Sequence, residues 1–250
     1  MAKQNIFDDN VFFEGYYKLR ENIDSANNLV EKPAIFSMIG DVKGRSIIDL
    51  GCGYGENCKT FSDMGAKRIV GVDISVKMLE VARNENFASN IEYYNICMED
   101  VDSIRFKYDV AVSSLAIHYI MDFNKLAMDV YSLLNDNGIF VFSQEHPLST
   151  APIDGAKWIK DSEEHVDHYR LTDYARLGER NISWIVDGII KYHCTFSEII
   201  NGLILAGFKI EEIREPVPRE ETIQRLPDYE KDLHKPDFLI IKVRKKNNEK

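Results

Sequence analysis

The hydrophobic residues between positions 46 and 143 fall into two alternating patterns. Short runs of consecutive apolar residues, rich in Ile and Val, indicate strands covered on both faces, and apolar residues three or four apart indicate helices with one buried side. Strands that alternate with helices predict an α/β fold with a doubly wound, mostly parallel sheet. We expect seven strands, at residues 46–50, 68–72, 91–94, 108–113, 139–143, 209–214 and 238–243.

Capping residues mark the ends of the predicted helices. Ser75 precedes a helix that runs to about residue 84, because its hydroxyl can accept a hydrogen bond from the first turn. Thr195 and Glu198 have the spacing of a capping box, and Gly207 is typical of the residue after a helix. Residues 123–134 carry an apolar stripe, which predicts a further helix on the sheet.

Two segments lie outside this alternation and divide the chain. Residues 1–44 are predicted to form an N-terminal helical cap, residues 45–146 the ligand-binding core, and residues 195–250 the strands that complete the sheet. Residues 147–194, rich in aromatic and charged side chains, interrupt the pattern after the fifth strand. Long insertions at that edge often carry function, so this segment is predicted to be a lid that contributes to the ligand site or, as the alternative, a packing element only.

Composition and charge limit the partners that this chain is expected to bind. Of its 250 residues, 44% are hydrophobic and 29% charged, which is typical of a globular protein. A formal net charge of −10 disfavours nucleic acid and anionic membranes, whose phosphates attract Lys and Arg. We find no secretory segment and no stretch that could span a membrane. The four cysteines form no Cys-x-x-Cys pair, so we expect reduced thiols, no metal site and a cytoplasmic location.

The clearest candidate for a binding site is the run Ile47-Ile-Asp-Leu-Gly-Cys-Gly-Tyr-Gly-Glu56. A buried strand leads there into three glycines and then a helix, which lets a ligand lie against bare backbone at the helix N-terminus. A dinucleotide-binding loop would have a glycine in place of Glu56, whose carboxylate would repel a pyrophosphate. Asp73 ends the next strand and can accept hydrogen bonds from two ribose hydroxyls. These residues predict a nucleoside cofactor.

Four motifs in chain order resemble those of the class I S-adenosylmethionine-dependent methyltransferases, and more closely the small-molecule branch. The motifs are Asp49-Leu-Gly-Cys-Gly-Tyr-Gly55, Gly71-Val-Asp-Ile-Ser75 with Met78, Met98-Glu-Asp100, and the run from Tyr108 to Tyr119. The runs Tyr17-Lys-Leu-Arg20 and Glu145-His-Pro147 are similar to those of one bacterial subgroup. The resemblance covers about residues 17–243. It implies a Rossmann-like fold, S-adenosylmethionine as the cofactor of the 45–146 core, and S-adenosylhomocysteine as the product.

The resemblance also implies roles for individual residues at the cofactor. Gly51 and Gly53 would face the methionyl portion, Asp49 would lie near its ammonium group, and Asp73 would hold the ribose. The adenine would lie between Ile74 and Met78, although their spacing alone fits ordinary core residues equally well. The other residues implied at the cofactor are Glu99, Asp100, which would accept from the adenine amine, Ser114, and Tyr17, which would lie near the sulfonium.

Two histidines are candidates for a role in the reaction. Methyl transfer is an in-line displacement that needs alignment and the exclusion of water, and it needs a general base only when the acceptor carries a proton. His118 follows the fourth strand and His146 the fifth, both at the carboxyl edge where such sheets bind ligands. We expect His118 to assist or orient a small-molecule acceptor, with His146, Tyr192 and His193 at its pocket. Either catalytic candidate could instead be a structural histidine.

Three alternative functions differ from this hypothesis in features of the sequence. A nicotinamide-dependent reductase would use the same sheet but needs a glycine where Glu56 stands. A nucleic-acid methyltransferase would need an Asn- or Asp-Pro-Pro-aromatic run where this chain has Val112-Ser-Ser-Leu115. A non-catalytic protein that binds S-adenosylmethionine would keep all the cofactor motifs. The alternatives, the attacking atom and the oligomeric state stay open at this level.

Overall fold

The computed structural model describes residues 4–155 and 158–246. The strands in chain order are β1 (Ser46–Leu50), β2 (Arg68–Asp73), β3 (Ile91–Asn95), β4 (Tyr108–Ser113), β5 (Leu134–Glu145), β6 (Trp158–Lys160), β7 (Val166–Tyr169), β8 (Gly178–Ile182), β9 (Ile189–His193), β10 (Phe208–Arg214) and β11 (Phe238–Lys245). The α-helices are α1 (Asn10–Arg20), α2 (Lys32–Ile39), α3 (Glu56–Asp63), α4 (Val76–Glu85), α5 (Phe123–Leu133), α6 (Pro147–Thr150), α7 (Phe196–Leu205) and α8 (Glu220–Arg225).

The central sheet has seven strands in the order β10-β11-β5-β4-β1-β2-β3. The five strands β5, β4, β1, β2 and β3 are all parallel to one another. Strand β11 runs antiparallel to both of its neighbours, β5 and β10. The predicted doubly wound, mostly parallel, Rossmann-like sheet is therefore confirmed. The fifth strand begins at Leu134 instead of near residue 139, because Leu134 already pairs with Tyr108 of β4.

Apolar layers cover both faces of this sheet. On one face, Phe140 of β5 packs with Leu126 of α5 and Leu203 of α7. On the other face, Val141 of the same strand packs with Phe61 of α3. Successive residues of a strand point to opposite faces, so strands buried on both sides consist of consecutive apolar residues.

The predicted helix caps are present. The Ser75 hydroxyl accepts a hydrogen bond from the Met78 amide at 3.0 Å, and the Thr195 hydroxyl accepts one from the Glu198 amide at 3.3 Å. Gly207 follows α7 with a φ of 99°, a left-handed backbone conformation that glycine adopts without strain.

The segments before β1 and after β5 meet outside the central sheet. Residues 147–194 contain two antiparallel pairs, β6 with β7 and β8 with β9. Trp184, between β8 and β9, packs edge-on against Phe12 and Tyr16 of α1, with ring centroids 5.7 and 5.9 Å apart. Asp8 accepts hydrogen bonds from the Ser75 hydroxyl and the Lys77 amide at the start of α4, so the N-terminal segment covers the carboxyl end of β2.

We find no helix in residues 4–155 and 158–246 that has both the length and the apolar character needed to cross a bilayer.

Candidate functional site

The glycine loop after β1 forms an open cradle at the carboxyl edge of the sheet. Gly51, Gly53 and Gly55 all have positive φ, and Gly55 directly precedes α3. A Cβ on Gly51 would lie 2.6 Å from Cβ of Ala116, so the loop after β4 packs against bare backbone at this point. A Cβ on Gly53 would meet nothing closer than the Met78 sulfur at 4.0 Å. The space in front of Gly53 is therefore large enough for a ligand to contact the backbone.

Asp73 fixes this loop to the end of β2. One carboxylate oxygen accepts a hydrogen bond from the Gly53 amide at 2.9 Å, and the other accepts one from the Ser75 amide at 2.8 Å. Burial raises the pKa of Asp73, and these backbone amides partly offset that rise. A carboxylate has about four lone-pair sites, so Asp73 can still accept ribose hydroxyls while it holds the loop.

Asp49 is a buried carboxylate at the base of the cradle. Its Oδ2 accepts a weak hydrogen bond from the Cys58 thiol at 3.5 Å, and its Oδ1 has no hydrogen-bond partner among residues 4–155 and 158–246. Burial raises its pKa to about 7, and the negative charges of Asp73 and Glu31 add to the rise. A buried carboxylate without a counter-charge is costly, so a cationic ligand group would stabilise this site.

The residues implied at the adenine lie around the ends of β2 and β3. Met78 is buried on the first turn of α4, and Ile74 is half-buried. Glu99 and Asp100 lie in the 3-10 turn Met98–Ser103, where Asp100 is exposed and Glu99 accepts a hydrogen bond from the Cys97 thiol. Met78 also faces the loop, with its sulfur 4.0 Å from a Cβ built on Gly53, and the contacts of all four residues with the adenine stay a prediction.

Glu31, which the sequence analysis missed, lies behind the cradle and is only 1% exposed. It accepts hydrogen bonds from Ser114 at 2.9 Å, from Ser143 at 2.5 Å and from Asn27 at 2.8 Å. Burial raises its pKa, and the hydroxyl donors partly offset that rise. The side chain of Ser114, implied at the cofactor, therefore donates to Glu31. A charged residue among the apolar residues of a helix was the one sequence signal for this group.

Glu56 forms ion pairs that the sequence did not indicate. Arg20 of α1 donates to its carboxylate at 2.8 Å, and Lys32 of α2 does so at 3.4 Å. Burial acts to raise the pKa of Glu56, but the two cations outweigh it and hold the pKa below its usual value. The ion pairs connect the N-terminal helices to the helix that follows the glycine loop.

Aromatic side chains of α1 pack against the glycine loop and cover the cradle. Tyr17 packs edge-on against Tyr54 of the glycine loop with ring centroids 5.6 Å apart, and its place near the sulfonium stays a prediction. Its neighbour Tyr16 is more central, because it contacts Tyr54, Phe12 and Trp184. Burial raises the pKa of Tyr16; Arg20 lowers it in part and Asp73 raises it further. Tyr16 is thus the aromatic residue of α1 that lies among the charges of the site.

His118 lies in the 3-10 turn Ile117–Tyr119, directly after the loop that packs on Gly51. Its Nδ1 accepts a hydrogen bond from the backbone amide of Glu145 at 3.4 Å, and burial lowers its pKa to about 4. The Glu145 carboxylate pairs with Lys191 of β9 at 2.5 Å. The ring of His118 is therefore neutral near pH 7, beside an ion pair of a buried lysine with a half-buried glutamate.

The comparisons with known proteins agree with this geometry. A family described as a methyltransferase domain matches residues 41–200. A crystal structure of a putative S-adenosylmethionine-dependent methyltransferase from Listeria monocytogenes is 31% identical, with a TM-score of 0.81 over 87% of this chain and 97% of that one. The chain belongs to the class I S-adenosylmethionine-dependent methyltransferases.

Two further relatives resemble this methyltransferase along most of its length. An S-adenosylmethionine-dependent methyltransferase from Mesorhizobium loti is 34% identical, with a TM-score of 0.78 over 88% of this chain and 98% of that one. An uncharacterised protein from Haemophilus influenzae is 36% identical over 249 residues, which cover 97% of this chain and 98% of its own. The family identifies S-adenosylmethionine as the cofactor.

The residues of the methyltransferase cradle fit this cofactor. The unpartnered Oδ1 of Asp49 is suited to the ammonium group, and the open backbone at Gly53 leaves room for the methionyl portion. The buried hydroxyl of Tyr54 in the same loop also has no partner in the part of the chain that the structure describes. Unpaired buried polar groups are rare in folded proteins, so their presence in this loop is consistent with a bound polar ligand.

Two of the predicted pocket histidines have structural contacts in the methyltransferase. His146 caps α6 by accepting from the Leu148 amide at 3.1 Å, and its Nε2 pairs with Glu215 at 2.8 Å. His193 is fully buried and bonds Thr150 and the Tyr174 carbonyl through its two ring nitrogens. Both nitrogens of each ring are bonded within the protein, which favours the structural alternative for His146 and His193, and a role of either at the acceptor stays a prediction. Tyr192 does line a cavity next to His118.

Proposed function

We propose that this methyltransferase transfers the methyl group of S-adenosylmethionine to a small-molecule acceptor by in-line displacement. The observation that carries this proposal is the cover over the cradle: α1 and the turn between β8 and β9 meet through Trp184 above the carboxyl edge of the sheet. A site enclosed in this way suits an acceptor small enough to be surrounded. The net charge of −10 argues against a nucleic-acid acceptor.

S-adenosylmethionine supplies a methyl group bonded to a positively charged sulfur. The bond between the acceptor atom and the methyl carbon forms as the carbon–sulfur bond breaks, and the electron pair of the broken bond stays on sulfur. A proton carried by the acceptor atom leaves to solvent or to a base. The residues of this chain contribute alignment and the exclusion of water, which are the main requirements of such a displacement.

His118 is the histidine that we assign to the acceptor. A ring whose pKa is lowered to about 4 by burial takes up a proton poorly at pH 7, so its contribution is to orient the acceptor. We also propose that residues 147–194 act as the lid of the acceptor site. Because all four cysteines are free thiols, we place the enzyme in the cytoplasm.

Calorimetry with S-adenosylmethionine, S-adenosylhomocysteine and NAD tests the cofactor site. We expect both adenosyl ligands to bind the wild type. Asp73→Ala should lower the affinity for both at least tenfold, because the carboxylate holds the loop and, in this proposal, the ribose. Asp228→Ala, at an exposed position remote from the cradle in sequence, is the matched control and should bind as the wild type does. Preference for NAD would contradict the proposal.

A screen for S-adenosylhomocysteine release then tests catalysis. Turnover with one class of small molecules, and none with RNA or DNA, is the expected result. Tight cofactor binding with no turnover on any acceptor would indicate a non-catalytic binding protein instead.

A further inference from the structure

A small cavity lies one strand away from the glycine loop, between the 3-10 turn after β4 and helix α7. Its walls are Ile117, His118, Ile120, Phe123, Gln144, Thr150, Tyr192, Cys194 and Ile199. Ile117 follows Ala116, the residue that packs on Gly51 of the cofactor cradle. The cavity is therefore close to the place where the reacting methyl group is expected, and it receives residues from the core and from the insertion.

Gln144 is an unexpected residue at this place. It follows Phe140 and Phe142 on the same face of β5, a face that otherwise contributes to the apolar core. The residue is only 6% exposed, its amide is not fully enclosed because it borders the cavity, and it forms no side-chain hydrogen bond with residues 4–155 or 158–246. Burying an amide without a partner costs free energy that an apolar residue would avoid. A partner from outside the chain would explain why a glutamine stands here.

The other polar groups at the cavity offer hydrogen-bond donors. Because Nδ1 of His118 accepts from the Glu145 amide, the proton of the neutral ring is on Nε2. The hydroxyl of Tyr192 forms no hydrogen bond with the part of the chain that the structure describes, and the Thr150 hydroxyl bonds His193. Gln144, His118 and Tyr192 each carry a hydrogen-bond donor at the wall of this cavity. The remaining walls are mostly apolar and carry no charge.

We propose that Gln144, His118 and Tyr192 form the acceptor-recognition subsite of this enzyme, and that it takes an uncharged hydroxyl or carbonyl oxygen of the methyl acceptor. Several uncharged hydrogen-bond donors around a mostly apolar cavity suit an oxygen atom, whose lone pairs accept hydrogen bonds. A carboxylate or ammonium group would lose its hydration there without meeting an opposite charge. This inference rests on the proposed function, because it specifies the chemistry of the acceptor.

Four matched aromatic probes test this subsite: phenol and benzamide, which are uncharged, and benzoate and benzylammonium, which are charged. Their dissociation constants are measured by ligand-observed NMR on protein saturated with S-adenosylhomocysteine. We expect the uncharged probes to bind the wild type at least fivefold more tightly than the charged ones. Equal binding of all four probes, or preference for a charged one, would overturn the proposal.

Two variants assign the binding to these residues. Gln144→Met keeps the length of the side chain and removes the amide, and Tyr192→Phe removes only a hydroxyl from a partly exposed ring. We expect each variant to bind phenol and benzamide more weakly than the wild type does, by at least tenfold for Gln144→Met. The affinity for S-adenosylhomocysteine should not change. Gln224→Met, an exposed glutamine of α8, should behave as the wild type.

The outcomes separate this inference from the proposed function. If the variants bind the uncharged probes as the wild type does, Gln144 bonds a trapped water or only fills space, and the subsite is wrong. If the wild type does not bind S-adenosylhomocysteine at all, the proposed function fails first.

Discussion

At the scale of single residues, the site is governed by carboxylates that are buried close together. Asp49, Glu31 and Asp73 all have raised pKa values, with burial as the largest cause in each. Neutral hydroxyls or backbone amides solvate Glu31 and Asp73, but one oxygen of Asp49 has no partner in the described residues. Asp49 is thus the group whose charge state is most sensitive to a cationic ligand.

The stability of the protein without cofactor should depend on pH through Asp49. Its pKa is about 7 in the folded state, above the value of about 3.9 for an unfolded aspartate. The buried charge therefore destabilises the fold fully above pH 7, and the penalty disappears as the pH falls towards 4. We expect Asp49→Asn to be more stable than the wild type at pH 8, by roughly 1–4 kcal/mol, with a difference that shrinks towards pH 5.

Urea denaturation of both proteins at several pH values measures this difference. Histidines whose pKa is lowered in the folded state act in the opposite direction, because their protonation in acid destabilises the protein. This effect is the same in both proteins, so it cancels in the difference between their free energies of unfolding. Asp228→Asn, at an exposed position, should match the wild type throughout. A difference that stays constant from pH 8 to pH 5 would contradict the assigned pKa of Asp49.

At the scale of elements, the helices before β1 are attached to the cofactor loop by polar contacts. Arg20, the last residue of α1, donates to Glu56 of α3 and at 2.5 Å to Asn27, which in turn donates to Glu31. This chain of contacts couples the position of α1 to the cradle. The aromatic rings of α1 then cover the glycine loop.

Replacing Arg20 should loosen this connection. Arg20→Ala leaves Glu56 paired only with Lys32, so we expect cofactor affinity to fall about tenfold, which is about 1.4 kcal/mol. Lys18→Ala removes an exposed charge from the same helix and should change neither affinity nor stability. Calorimetry with S-adenosylhomocysteine gives the affinities. An unchanged affinity in Arg20→Ala would show that α1 does not support the cradle.

At the scale of the whole molecule, the methyltransferase consists of a rigid sheet and a cover assembled from two distant parts of the chain. Gln4 accepts a hydrogen bond from the Ile190 amide of β9 at 2.9 Å, in addition to the packing of Trp184 on α1. The cover forms few contacts compared with the sheet, and segments held in this way open most readily.

The cover should open locally when Trp184 is truncated. We expect Trp184→Ala to remain folded, and its amide hydrogen exchange to rise in α1 and in the turn between β8 and β9, because both lose the same ring. Trp158→Ala is the matched control: that ring packs on Tyr169, so exchange should rise around β6 and β7 instead. Faster exchange throughout the central strands of Trp184→Ala would mean that the cover stabilises the whole fold.

Local regularities explain why so much of the fold and cofactor site could be predicted. Except for β5, the strands of the central sheet had near-correct boundaries, because burial on both faces produces consecutive apolar residues. The helix caps at Ser75 and Thr195 depend only on residues within one turn. Gly51, Gly53 and Asp73 could be predicted at the cofactor because their backbone requirements and spacing are properties of a short segment, and their contacts with it stay a prediction.

Contacts between distant segments account for what the sequence did not predict. His118 and His146 both follow neighbouring strands of the sheet, yet the first borders a cavity and the second has both ring nitrogens bonded. Glu31 meets serines 83 and 112 residues away in the sequence. Such partners follow from packing, which leaves no periodic pattern along the chain.

The sequence by itself determined the sheet and the glycine loop, and it predicted a nucleoside-binding role for Asp73, because hydrophobic period, turn geometry and strand ends are local properties. The tertiary structure decided that Oδ1 of Asp49 has no hydrogen-bond partner in the described part of the chain, that Tyr16 lies among the charges and that His118 borders the cavity beside Gln144. Burial and hydrogen-bond pairing set the charge and availability of each of these groups, and both arise only when remote segments pack together.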